Sequence, residues 1–396
     1  MKLIVLALAL IASGPSLATT RTSLSPAPSP YLSPLPEEPM PAVTPLPAVW
    51  PKSWVLISDF NFNSIVDGRV VVVDTASPNQ PFQGLFRAAQ FANLLVSPTD
   101  DRLYTAETFY SRLTRGTRTD AITIWDMKTL KPTGEIILPG GKRQQSVTYP
   151  NLFQFTNNRK WALVANFTPA QSVSVVDLYA GKILNEIDLP GCSQIYPTGE
   201  RGFSSLCADG SIFSVSLDEA GQIATSNTIK GVQDIDNQAL FSMSATVGKT
   251  AWFVSQHGLI QGFDLSGATA KPIVGAFSVG TADGAAPQWR PSGWQVINAD
   301  AAGHLYVLMN PNGKEGSHKD GGTEVWVFDP VAKTRLARIA LQGQSIAVAV
   351  THENEPHLVV ARGDGVIDIY DATTGAFVRT LGATVAFNPI VITPVQ

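Results

Sequence analysis

One phrase recurs seven times along this chain: an alternating apolar strand closing on a turn residue, usually aspartate, then a polar or glycine-containing turn, then a second strand. Its copies are Val70–Asp74, Ile122–Asp126, Val173–Asp177, Ile212–Ser216, Leu259–Asp264, Val325–Asp329 and Val366–Asp371. A strand-only unit returning at roughly 40 to 50 residues buries its apolar faces by stacking on its neighbours, which is the signature of a β-propeller. Length alone, at 396 residues, would suggest roughly two or three domains. A ring of like units is instead one closed body. The expected fold is all-β: a seven-bladed β-propeller of four-stranded antiparallel blades over residues 53–396.

Each unit resolves into strands A, innermost, to D, outermost. In the second unit these are Asn93–Ser97, Arg102–Glu107, Ala121–Asp126 and Gly134–Leu138; in the third, Leu152–Thr156, Trp161–Asn166, Ser172–Asp177 and Ile183–Leu189. The aspartate that ends a C strand is expected to accept N–H groups of the following turn, a structural task and not a catalytic or metal-binding one. One strand is left over at the C-terminal end, Val385–Ile392, while the first unit begins only with its B strand, Ser53–Ser58. The C-terminal strand is therefore expected to become the innermost strand of the N-terminal blade, leaving no open edge. B–C and D–A loops lie on one face of a propeller. The long ones, Asp59–Gly68, Glu107–Asp120, Val279–Ser292 and Asn310–Thr323, belong to that face and to neighbouring blades across the closure. Long loops without structure of their own mark a working surface.

The N-terminal residues set the compartment. Lys2, an apolar run from Leu3 to Ala12 and small residues ending at Ala18 read as a secretory signal peptide over residues 1–18. The mature chain is then expected to begin near Thr19, in the periplasm. Residues 19–52 form a proline-rich arm, with proline at ten positions from Pro26 to Pro51, which forbids helix and favours polyproline II. It is either a tether or an arm laid across a partner subunit. A net charge of −4 disfavours nucleic acid as a partner. The two cysteines, Cys192 and Cys207, flank one expected hairpin. A disulfide between them suits an oxidising compartment, two buried free thiols being the other possibility.

Motifs of stand-alone catalysis are missing. The histidines, His257, His304, His318, His352 and His357, show no metal-ligand spacing, and there is no G-x-S-x-G elbow, P-loop or dinucleotide-binding glycine pattern. The elaborated loops carry interface chemistry instead. Phe109, Tyr110, Arg112, Arg115 and Arg118 occupy one; Trp289, Arg290 and Trp294 another; His318 and Lys319, with Lys314 and Glu315, a third. Aromatics and planar guanidinium groups are favoured at protein interfaces. The opposing reading of the arginines is a solvated basic loop held by Glu107 and Asp120.

The stretch from Phe109 to Asp120 resembles the heavy chain of the quinoprotein amine dehydrogenases, as do Trp289-Arg290-Pro291-Ser292-Gly293-Trp294 and Asn312 through Lys319. The likeness extends through Gly191-Cys192 and Cys207-Ala208-Asp209-Gly210 and covers roughly Ser53 to the C-terminus; Asn312–Lys319 is closer to the aralkylamine than to the methylamine branch. What the resemblance implies is a periplasmic heterotetramer of two heavy and two light chains that oxidises primary amines to aldehyde and ammonia. Electrons would pass to an azurin- or amicyanin-like copper protein. The tryptophan tryptophylquinone and the catalytic base would belong to the light subunit, with no catalytic residue, metal or cofactor on this chain. The heavy chain would dock that subunit through the loop residues named above and place an aromatic, best matched by Phe91, at the mouth of the substrate channel. The competing class is a periplasmic binding or scaffold propeller with no enzymatic partner.

Overall fold

The structure, a computed structural model, describes residues 44–89, 91–280, 288–382 and 386–396. The expected leader, most of the proline arm and the first residue of the expected C-terminal strand lie outside the described residues.

Strands that read as unbroken apolar runs are inner ones. Arg69–Asp74 carries four consecutive valines, all buried, because both faces of such a strand are covered by neighbouring sheets. Outer strands turn polar: Ile223–Ile229 is exposed over nearly its whole length. Between sheets the packing is tight and small-to-large. Val55, Ile57, Val71 and Val73 of the first unit meet Ala347, Ala349, Val359 and Ile369 of the last, so the ends of the chain are packed together.

The sheets are antiparallel, and the second, third and fourth run from the inside out in chain order. The second comprises Asn93–Val96, Arg102–Arg112, Arg115–Asp126 and Pro132–Leu138; the third Phe153–Phe155, Ala162–Asn166, Ser172–Asp177 and Lys182–Asp188; the fourth Cys192–Thr198, Gly202–Cys207, Ile212–Leu217 and Ile223–Ile229. The expectation of seven separate blades needs correction. The described residues form six hydrogen-bonded sheets, five of them separate and one of eight strands. The fusion is made by Thr334–Val350, seventeen residues long, which pairs with Gly322–Asp329 through its first part and with His357–Arg362 through its second. Its middle, Leu341-Gln342-Gly343-Gln344, holds no proline and no turn pair, so nothing makes the chain leave the extended conformation between the two repeats.

The C-terminal strand Pro389–Pro394 pairs antiparallel with Trp54–Asp59 and is the inner strand of the first sheet. Two side chains fasten it. Asp59, fully buried, accepts N–H groups of Asn61, Phe387 and Asn388 and the Arg69 Nε–H, at 2.8 to 3.1 Å. Gln295 lies against Ile392, its Nε2 donating to the Ile392 carbonyl (2.9 Å) and its Oε1 accepting the Ile392 N–H (2.8 Å). A side-chain amide thus replaces the missing strand neighbour, satisfying backbone groups that burial would otherwise leave unpaired.

The turn aspartates do structural work, as expected. Asp177 accepts from the N–H groups of Tyr179 and Ala180, Asp329 from those of Val331 and Ala332, and Asp371 from those of Thr373 and Thr374. In the fourth unit, where Ser216 stands at the repeat position, Asp218 takes the role. Cys192 and Cys207 face each other across the first hairpin of that unit and form a disulfide. No helix among the described residues is long and apolar enough to cross a membrane.

Candidate functional site: the elaborated face and its aromatic centre

The segment 107–120, expected as an irregular loop, is a β-hairpin that continues the second and third strands of its blade. Thr108 pairs with Asp120, Phe109 with Thr119, Tyr110 with Arg118 and Arg112 with Arg115. Its alternation is hidden in the sequence because between Thr108 and Asp120 no residue is fully buried, so threonine and arginine stand where a buried strand would place apolar residues. At the tip Leu113 has a left-handed backbone, φ 62°, and is 74% exposed. Arg112 and Arg115 are exposed beside it, and Phe109 is part-exposed. Tyr110 donates its hydroxyl to Gln145 at 2.9 Å.

Arg118 behaves differently from its neighbours. It grips buried Asp120 through Nε (2.9 Å) and Nη2 (3.1 Å), and donates to the Arg143 carbonyl at 2.6 Å. The same Asp120 accepts the Arg143 N–H (3.0 Å) and the Thr108 hydroxyl (2.7 Å). Local acids therefore hold one of the three arginines, and not the pair at the tip. Glu107 turns inward, accepting from the Ala89 N–H and from the Thr105 hydroxyl at 2.7 Å. Burial raises its carboxyl above the usual range against those donors. Arg143 is buried and lowered to about 10 by desolvation, with Asp120 pulling the other way, so it remains a cation at neutral pH.

Phe91 precedes the strand Asn93–Val96 and holds φ 50°, a conformation that side chains with a Cβ seldom adopt. Its ring meets Phe60 edge-on at 5.8 Å and Phe62 at 6.4 Å, and Phe62 is 43% exposed. The Asp59–Gly68 loop supplies both partners, with Phe62 fixed by its N–H on Asn388 Oδ1 (2.8 Å). Phe60, Met243, Ile390 and Val391 form the buried part of one cluster on which Phe91, Tyr149 and Trp294 pack. Tyr149 and Trp294 stack at 4.7 Å, and the Trp294 Nε1–H donates to the Thr148 carbonyl at 3.0 Å. Because these residues come from inner connections of different sheets, they bridge the inside of the ring.

With Arg118 held at the hairpin base, the other sequence-expected residues fall into four settings. Phe91 and Trp294 share the central cluster. Phe109, Tyr110, Arg112 and Arg115 project on the hairpin. Trp289 packs on Trp326 at 5.2 Å under Arg338, and Arg290 pairs with Glu315 (2.7 Å), which also meets His257 (2.9 Å). His318 and Lys319 sit in the short helical turn Ser317–Lys319; the His318 carbonyl accepts the Gly293 N–H (2.9 Å), and Lys319 is exposed. Sequence reasoning missed Phe60, Phe62, Tyr149 and Arg143. The Phe60-Asn61-Phe62 pair inside a long loop was the one available signal.

A cavity of about 870 Å³ opens elsewhere, lined by A–B turn residues such as Ser97, Arg159, Val247 and His352 together with the C-terminal Gln396. Strand connectivity puts those turns on the face away from the hairpin. Among the described residues no group of three or more histidine, cysteine or acidic side chains is placed to hold a metal ion.

The model of one protein family, the methylamine dehydrogenase heavy chain, matches residues 55–395. The chain belongs to the methylamine dehydrogenase heavy-chain family. It is therefore of the kind that forms the large subunit of an amine-oxidising oxidoreductase. This heavy chain is 29% identical over 349 residues to the methylamine dehydrogenase heavy chain of Methylorubrum extorquens, covering 87% of this chain and 81% of that one. It is 30% identical over 281 residues to that of Paracoccus versutus, covering 70% and 65%. Two solved structures share the fold alone. A dihydro-haem d1 dehydrogenase superposes with a TM-score of 0.53 at 14% identity over 88% of this chain and 66% of its own. A protein of unknown function from Desulfotomaculum acetoxidans does so with 0.58 at 10% identity over 87% and 100%.

Proposed function

We propose that the chain is the heavy subunit of a periplasmic amine dehydrogenase that oxidises primary amines bearing an aromatic group to aldehyde and ammonia. One observation carries the reading: Phe91 joins Phe60 and part-exposed Phe62 in an aromatic group on the same face as an exposed hairpin tip of Arg112, Leu113 and Arg115. The hairpin, with Phe109, Tyr110, Arg290, His318 and Lys319, docks a light subunit in a 2+2 heterotetramer. The phenylalanines line the approach of the amine. When bound in that light subunit, tryptophan tryptophylquinone supplies the oxidising chemistry, and an azurin- or amicyanin-like copper protein takes the electrons. This chain's contribution is positional: it fixes the light chain, presents an apolar wall that favours an aryl group over a methyl, and keeps water from the reacting centre. Residues 1–18 act as the export signal and 19–52 as the arm. We also read the eight-stranded sheet as two blades that share the strand Thr334–Val350, which restores the sevenfold count.

The test is co-expression with a small, cysteine-rich secreted partner, followed by co-purification, quinone absorbance and amine turnover. Phe91→Ala in the assembled enzyme should lower kcat/KM for a phenylalkylamine about tenfold relative to methylamine, since ring contacts of this kind are worth on the order of 1 kcal/mol beyond burial. Unchanged amine preference would remove Phe91 from the channel. Turnover by this chain alone would overturn the whole assignment.

A further inference from the structure

We propose that Arg143 is a positioning residue, which holds the Phe91 backbone in place and ties it to the base of the hairpin. This rests on the reading of Phe91 as a channel residue. The geometry is direct. Arg143 Nη1 donates to the Phe91 carbonyl (3.1 Å) and to Asn93 Oδ1 (3.1 Å), its Nε donates to the Thr108 hydroxyl (3.0 Å), and its backbone N–H donates to Asp120 (3.0 Å). One guanidinium therefore reaches the turn before the A strand, the A strand itself and the hairpin base. It is 2% exposed.

Burying a cation there is unfavourable unless its hydrogen bonds are made with good geometry. What the guanidinium gains is control of a backbone that does not hold itself: Phe91 sits at φ 50°, and a bond to its carbonyl selects that conformation over the extended one open to phenylalanine. The ring direction follows from the backbone, so the contacts with Phe60 and Phe62 depend on a hydrogen bond made at the Phe91 carbonyl. Asp120 adds a second link. It is gripped by Arg118 of the hairpin and accepts the Arg143 N–H, so a light chain that engages the hairpin presses on the same network that sets Phe91.

Arg143→Lys in the co-purified enzyme tests this, because lysine keeps the charge beside Asp120 but has no planar fork to reach Thr108 and Phe91 together. The kcat/KM ratio for a phenylalkylamine over methylamine should fall about tenfold, mainly through KM, as expected when a binding group is misplaced and not removed. In a Phe91→Ala background the same substitution should leave the ratio where Phe91→Ala alone put it. If Phe91→Ala shifts the ratio and Arg143→Lys does not, the positioning role is overturned while the channel reading stands. If Phe91→Ala itself changes nothing, the channel reading fails and this inference goes with it. An equal shift in both backgrounds indicates a general packing role and also overturns the proposal. Should Arg143→Lys fail to assemble, Thr108→Val, which removes the acceptor of Nε and leaves the cation, decides by the same comparison.

Discussion

The seam that closes the ring and the hairpin that rises from the second blade use the same parts, β-strands and charged side chains, to opposite ends. At the seam the polar groups are buried and occupied: Asp59 is fully buried with four donors around it, and Gln295 satisfies both backbone groups of Ile392. At the hairpin tip Arg112 and Arg115 stand in solvent beside a leucine that is three-quarters exposed. The first arrangement contributes stability because desolvated groups there have nowhere else to find partners. The second contributes little to folding, since exposed charges are screened by water. On the proposed docking role, its groups are left for another surface.

The largest expected effect breaks the seam. Removing residues 387–396 deletes the inner strand of the first sheet and exposes the edge of Trp54–Asp59, so the truncated chain should lose cooperative unfolding in a denaturant titration. Asp59→Ala strips the partner from Arg69 and three backbone N–H groups at once, at a cost of about 3–5 kcal/mol, typical of removing one member of a buried charged network. A midpoint equal to that of the parent chain would mean that the ring is held shut by sheet packing alone. The hairpin should respond in reverse. Leu113→Asp with Arg112→Ala should leave the melting temperature where it was, yet weaken light-chain capture by about 2 kcal/mol, roughly thirtyfold, as for the loss of an interface hot spot. A matched loss of stability would show that the tip belongs to the fold.

The same contrast explains what could be read before any coordinates. The seam was legible, because a leftover strand at one end and a missing one at the other are a matter of counting, and burial makes inner strands conspicuous in apolar residues. The disulfide followed from two cysteines flanking one hairpin. The hairpin was not legible as strand, since its periodic signal needs a fully buried face and it has none beyond Thr108. Nor was the fused sheet: its continuity depends on the lack of a turn between Ala340 and Ser345, a negative signal that the repeats on either side conceal. Arg143 is the hardest case. Between Lys142 and Gln144 it reads as one more solvated charge, and the partners that surround it, Phe91, Asn93, Thr108 and Asp120, are scattered over three strands and a loop.

Glu107 lies near where the two regimes meet, one residue inside Thr108, the last buried residue of its strand, and it yields the smallest and most diagnostic effect. Its carboxyl is raised above the ordinary glutamate value by burial, although Thr105 and the Ala89 N–H favour the charged form. The folded chain therefore keeps a proton that the unfolded chain has already released. Between the ordinary value and the raised one the native state binds more protons, so stability falls as pH rises and levels off once both states are ionised. The contribution of this group is fullest in acid, opposite in sign to that of carboxylates such as Asp371 whose turn N–H groups lower them. Glu107→Gln, which mimics the neutral form, should remove that slope, so the gap between variant and parent midpoints should widen in the variant's favour as pH rises above the ordinary glutamate value. Because the carboxyl faces Ala89, two residues before Phe91, this titration also reports on the backbone that carries the aromatic ring. A constant gap across the range would show that Glu107 is ionised throughout, and that the buried step of the hairpin is as well solvated as its tip.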